Sequence, residues 1–177
     1  SIKEFIHDFL WDIGYDIRKI KSVTHPIGRR KKFIEHFEID TVLDVGANKG
    51  QYAMHLRRDL EYKGKIISFE PLSTAFEILQ KKSQDDAAWE INHFALGDYE
   101  DKKEINIAGN SHSSSFLEMK PDHVKYEPTS KYIGKETIEV KRLDSIFDDS
   151  CVSSKNIYMK IDTQGYESKV LHGAEKS

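Results

Sequence analysis

The stretch "TVLDVGANKGQY", Thr41 to Tyr52, constrains the fold more than any other. A short apolar run meets a turn with glycines at 46 and 50, after which Ala53, Leu56 and Leu60 recur at helical spacing. This reads as a buried strand turning into a helix. "KIISFE", Lys65 to Glu70, is a second buried strand, and Pro71 stops it and opens a helix whose inner face is Leu72, Phe76 and Leu79. "WEINHFAL" reads as a third strand, closed by Gly97 and Asp98. Strand, helix, strand, helix, strand predicts an α/β domain with a mostly parallel sheet and right-handed crossovers.

The remainder divides around that unit. "IKEFIHDFLWDI" has Ile2, Phe5, Ile6, Phe9 and Ile13 at helical spacing, so residues 1–38 are expected to form a helical extension and 39–177 the main domain. The extension's apolar face suits the domain's own core, or a partner or membrane surface. "RRKK", Arg29 to Lys32, lacks interleaved aromatics and suits a solvated helix face. "KKEINIAG" and "ETIEVKRL" alternate apolar and polar residues, which predicts an inserted antiparallel β-pair flanking a long polar loop. "NIYMKID", Asn156 to Asp162, is a fourth buried strand, and "GYESKVLHGA" starts a helix. A net charge of −3 gives no bias toward nucleic acid. Cys151 is the only cysteine, which excludes an internal disulfide; it falls in a Ser-rich segment read as a loop. No apolar run reaches the roughly 20 residues of a membrane span, so no integral membrane segment is expected and a cytoplasmic location is the default.

In an open α/β sheet, ligands sit beyond the carboxyl ends of the strands. Asp44, Glu70 and Asp162 stand at such ends. The turn reads Asp-x-Gly-x-x-x-Gly, unlike the dinucleotide fingerprint with glycines at positions one, three and six. A carboxylate ~4 Å from a unit negative charge costs on the order of 4 kcal/mol at an effective dielectric of ~20. Asp44 is therefore a poor neighbour for a pyrophosphate and a good one for a cation. S-adenosylmethionine fits: it has a sulfonium, an ammonium and no phosphate. Asp44, Gly46, Ala47, Asn48, Gly50, Gln51 and Tyr52 are the candidates for its methionine part. Glu70 can accept from both ribose hydroxyls, which NAD shares but the 2′-phosphate of NADP does not tolerate. Pro71 and Leu72, with the backbone at Ala95 and Leu96, are expected beside the adenine.

The segments "VLDVGANKGQYA", "ISFEP", "ALGD", "NSHSSSFL" and "KIDTQGYE", in this order, resemble the FkbM family of S-adenosylmethionine-dependent methyltransferases. The resemblance runs from about residue 31 to 174. It implies a Rossmann-like class I methyltransferase sandwich of seven strands, and an oxygen of a sugar or polyketide as the usual acceptor. It also tips Ser114, with Ser111, Ser113 and Ser115, toward the cofactor site. Gln164 stands where the family usually has an acid, which removes one candidate base or metal ligand; no metal is expected. The family fold needs about three further strands beyond "LHGA", so the sheet is expected to look cut short at its C-terminal side. The edge of the fourth strand is then expected to be covered by the β-pair or by another copy of the chain.

O-methylation of a small hydroxyl-bearing acceptor needs a group to take the proton. Asp162 and His112 are the candidates; each also has a plainer reading, Asp162 as a helix N-cap and His112 as an exposed loop residue. Lys160 points to the same side as Asp162, and can pair with it or pack its alkyl stem on a helix. Two readings compete with an enzyme of this kind: a non-catalytic interaction module on a shortened cofactor fold, and an NAD-dependent oxidoreductase.

Overall fold

The computed structural model describes residues 6, 9–10, 25–108, 132–151 and 153–177, with the side chains of 108 and 149–151 excepted. His112, Ser114 and the rest of the Ser-rich loop lie outside the described residues, as does most of the N-terminal amphipathic segment. The chain divides into two compact units, residues 1–36 and 37–177. The first contains helix α1, Pro26–His36, none of whose residues is buried.

The second unit holds two sheets. In the main sheet, β1 (Thr41–Val45), β2 (Lys65–Phe69), β3 (Trp89–Asn92) and β7 (Ile157–Ile161) run parallel in the order β3-β2-β1-β7. Helices α2 (Gln51–Arg58) and α3 (Ser73–Ser83) connect β1 to β2 and β2 to β3. This is the expected α/β arrangement, with β1 completely buried. Alternation along the strands sorts their side chains. Leu43, Val45, Ile67 and Phe69 face one way and form a core with Leu96, Leu143 and Val170. The opposite face carries Val42, Asp44, Ile66 and Ser68. There Ser68 Oγ accepts a hydrogen bond from Trp89 Nε1 at 2.9 Å.

The second sheet contains β4 (Ala95–Leu96), β6 (Tyr132–Lys141) and β5 (Asp101–Ala108), in the order β4-β6-β5. β5 and β6 are the expected antiparallel pair, with an irregularity between Ile107 and Ala108. "WEINHFAL" is not one strand, however. It breaks at His93–Phe94, and its halves join different sheets. Apolar residues recur on both sides of the break because Trp89 belongs to the main sheet while Ala95 and Leu96 fill the cores on either side of β4. The β-pair therefore binds β4 and leaves β7 as an edge of the main sheet among the described residues, so it does not cover that edge as expected. β7 is half-buried along its length, as an edge strand should be.

Two further elements differ from the sequence reading. The segment ending in Cys151 is helix α4 (Leu143–Cys151), which sends Leu143, Ile146 and Phe147 into the main core. The last helix, α5 (Glu167–His172), starts two residues after Gly165 and buries Val170.

Arg57 fixes the amino ends of the strands. It donates to the carbonyls of Tyr62 and Gly64 at 2.8 Å and of Ala88 at 3.2 Å, and pairs with Asp86 at 2.7 Å. These bonds tie the end of α2 to the entries of β2 and β3. Arg57→Met leaves three carbonyls and a carboxylate short of donors, and is expected to cost about 2–3 kcal/mol. Urea denaturation measures it. Ligand affinity of the remaining folded protein should be unchanged, because Arg57 lies at the opposite end of the sheet from the carboxyl ends.

Candidate functional site

β1 lies between β2 and β7, with Asp44 in register with Ser68 on one side and Lys160 on the other. The chain leaves β1 toward one neighbour and later returns beside it on the other, which makes the carboxyl end of β1 a topological switch point. The turn after β1 and the ends of β2 and β7 meet there.

The turn uses left-handed backbone at Gly46 (φ 73°), Asn48 (φ 49°) and Gly50 (φ 75°). Its glycines make room for the protein itself. A Cβ at 46 would lie 2.1 Å from the carbonyl oxygen of Asp162, and one at 50 would lie 2.9 Å from Leu79 and 3.0 Å from the Trp89 ring. Gly46 thus admits the backbone just after β7, and Gly50 admits the core. The turn's amides are committed as well. Gly46 and Ala47 both donate to Phe69 O (3.1 and 3.0 Å), Asn48 donates to Glu70 Oε2 (2.7 Å), and Gly50 donates to Ala47 O (2.9 Å). A phosphate cradle needs such amides pointing outward.

Glu70 is only 5% exposed. Its second oxygen accepts from Leu72 N at 2.9 Å, so the carboxylate clamps the turn to the end of β2. Burial pushes its pKa up to about 7, against the pull of those two amide bonds. Each carboxylate oxygen keeps a further acceptor position for a hydroxyl.

Asp44 has no exposed surface. Lys160 Nζ lies 3.0 Å from its Oδ1, an ion-pair distance, while its Oδ2 has no hydrogen-bond partner among the described residues. Burial raises the Asp44 pKa, and Lys160 works against that rise. Lys160 also donates to Gly46 O at 3.0 Å, stands 3.9 Å from Asp162 Oδ2, and faces the Tyr52 ring at 5.7 Å. The sequence reading paired Lys160 with Asp162; its main partner is Asp44. The signal for that pairing is the parallel register of β1 and β7, which no local pattern carries.

Asp162 is exposed at the end of β7, and its Oδ1 accepts from Gln164 Nε2 at 2.9 Å. It does not cap the following helix. Glu167 organises that loop instead, accepting from Thr163 N and Gly165 N at 3.1 Å. Of the other candidates, Gln51 is exposed, Tyr52 and Pro71 are half-buried, and Ala47 is buried. Leu72 and Ala95 belong to the small core under the second sheet and Leu96 to the main core, so only their backbones remain to flank a base.

The Glu70 shift fixes a pH dependence. Between pH 4.5 and about 7 the folded protein holds a proton that the unfolded chain releases. Stability therefore falls as pH rises through that window, by about 3 kcal/mol in all, and levels off above it. Asp44, also raised, contributes with the same sign. Urea denaturation at pH 5 and pH 7.5 should show a smaller difference for Glu70→Gln than for the wild type.

Among curated proteins none matches the chain. The crystal structure of methyltransferase FkbM from Methylobacillus flagellatus is similar over 78% of this chain, with a TM-score of 0.51 and 16% identity. This chain covers 30% of that protein's length. A protein from Clostridium thermocellum assigned as an rRNA-methylase matches at a TM-score of 0.35 and 12% identity, covering 91% of this chain and 85% of its own. The model of the methyltransferase FkbM domain matches residues 44–177, from the carboxylate of β1 to the last residue of the sequence, and the chain belongs to that family.

Proposed function

We propose that the domain binds S-adenosylmethionine at the carboxyl end of β1 and transfers its methyl group to a hydroxyl of a small molecule. The observation that carries this reading is the pairing of a buried carboxylate with a turn whose amides are already used. Asp44, Glu70 and Asp162 gather more carboxylate than the one ammonium of Lys160 offsets, which favours a cationic ligand. The committed amides of residues 46, 47, 48 and 50 disfavour a pyrophosphate, and with it the oxidoreductase reading.

The residues divide the work. Glu70 receives the ribose hydroxyls on its remaining acceptor positions. The cofactor, when bound, supplies a methyl group on a positively charged sulfur. Gly46 O, the Asp44–Lys160 pair and Tyr52 would hold its amino-acid end. Asp162, exposed at the neighbouring strand end, would take the proton of the acceptor hydroxyl as that oxygen is methylated. Holding the acceptor oxygen at roughly 3–3.5 Å from the methyl carbon supplies much of the acceleration. Sugars and polyketide hydroxyls are the acceptor class to try first.

Titration calorimetry with S-adenosylhomocysteine, S-adenosylmethionine, NADH and NADPH tests the cofactor. The first two should bind and the nucleotides should not. Glu70→Ala should weaken binding about tenfold or more, the equivalent of losing roughly 1.4 kcal/mol of hydrogen bonding. Heat from NADH with none from S-adenosylhomocysteine would overturn the reading. Asp162→Asn should lower the methyl-transfer rate on an accepted hydroxyl, at saturating cofactor, by about 10²-fold or more.

A further inference from the structure

The ammonium of Lys160 is surrounded as a ligand would be. Gly46 O accepts from it at 3.0 Å, Asp44 Oδ1 stands at 3.0 Å, and Asp162 Oδ2 waits at 3.9 Å. The Tyr52 ring presents its face at 5.7 Å. A carbonyl, a buried carboxylate and an aromatic face form a cage for a primary ammonium. Asp44 is wholly buried, so no ligand cation touches it while Lys160 stays in place. Among the described residues Asp44 Oδ2 nevertheless has no hydrogen-bond partner, so the resident side chain leaves the carboxylate partly unsatisfied. A buried carboxylate left in this state calls for an explanation.

We propose that Lys160 is a placeholder: its ammonium occupies the cage that recognises the α-ammonium of the ligand's amino-acid tail, and binding displaces it toward Asp162. This rests on the reading of the site as one for S-adenosylmethionine. Displacement is short because Asp162 Oδ2 already lies 3.9 Å from Nζ, on the exposed side of the pair. The incoming ammonium replaces one cation by another, so Asp44 is never left buried and unpaired, the state that costs most. Lys160 thereby acts as a specificity residue. It makes the empty site neutral at Asp44, and only a ligand that brings its own ammonium can take the position.

Three measurements test this. First, Lys160→Ala removes the ammonium and leaves a space the length of n-propylammonium. Propylammonium chloride should raise the melting temperature of this variant more than tetramethylammonium chloride at equal ionic strength, and should do so little in the wild type. Equal effects of the two salts would overturn the cage, whatever the cofactor. Second, if the resident ammonium fills the cage ~90% of the time, Lys160→Ala should bind S-adenosylhomocysteine about tenfold more tightly. 5′-Methylthioadenosine, which lacks the amino-acid tail, should be unaffected. Weaker binding of S-adenosylhomocysteine, or equal tightening of both, contradicts the placeholder. Third, a measurement on the wild type avoids any folding defect of the variant. Reductive methylation of Lys160, followed by mass spectrometry, should speed up with saturating S-adenosylhomocysteine; protection would overturn displacement. If no adenosyl ligand binds wild type or variant, the cofactor reading fails, and the propylammonium result still decides the cage.

Discussion

The rest of the site depends on one buried ion pair. Asp44 sits on the central strand of the parallel sheet with no exposed surface, and Lys160 reaches it from the neighbouring strand. Removing one partner of a buried pair typically costs about 3–5 kcal/mol, because the other charge is left without compensation. The pair therefore locks the register of β1 against β7. It also fixes the turn, because the same ammonium holds Gly46 O. Gly46 in turn admits the Asp162 carbonyl, which a Cβ would displace, and Asp162 N donates to Val45 O at 3.0 Å. Charge pairing, glycine conformation and strand pairing thus specify one arrangement of the two strand ends.

A second set of contacts holds the β2 side of the site. Glu70 joins the glycine turn to Leu72, and the next residue, Ser73, donates through its backbone N to Glu136 Oε1 of β6 at 3.1 Å. Leu72 and Ala75 share a small core with Ala95, Ile105, Ile138 and Val140. The second sheet therefore supports the loop that carries Glu70. Its role in the fold explains why the β-pair associates with β4 and α3 and leaves the β7 edge uncovered by it.

Much of this was legible in the sequence. The strands at 41–45, 65–69 and 157–161, the helices after the first two, and the antiparallel pair all follow from apolar runs and periodicity. Asp44 and Glu70 were legible as strand-end acids. What the sequence hid was non-local. "WEINHFAL" reads as one strand because Trp89, Ile91, Phe94, Ala95 and Leu96 keep it apolar on both sides of the polar Asn92–His93 pair, although its halves join different sheets. Lys160 read as a partner for Asp162, two residues away, because sequence proximity is visible and a parallel register is not. Nor does the sequence show that the glycines of the turn make way for Leu79, Trp89 and the backbone of Asp162. The polar segment around Ser154 hid α4, whose apolar side is short: Leu143, Ile146 and Phe147.

The Asp44 carboxylate thus acquires a different role from the one its position in the turn first implies. In the structure it holds the Lys160 ammonium in place beneath the site. The most direct test of the account is a crystal structure of the protein with S-adenosylhomocysteine bound. The account predicts the ribose hydroxyls on Glu70, the α-ammonium within hydrogen-bond distance of Gly46 O and Asp44, and the Lys160 ammonium moved to Asp162. A complex in which Lys160 remains on Asp44 and the ligand's ammonium lies elsewhere would contradict it.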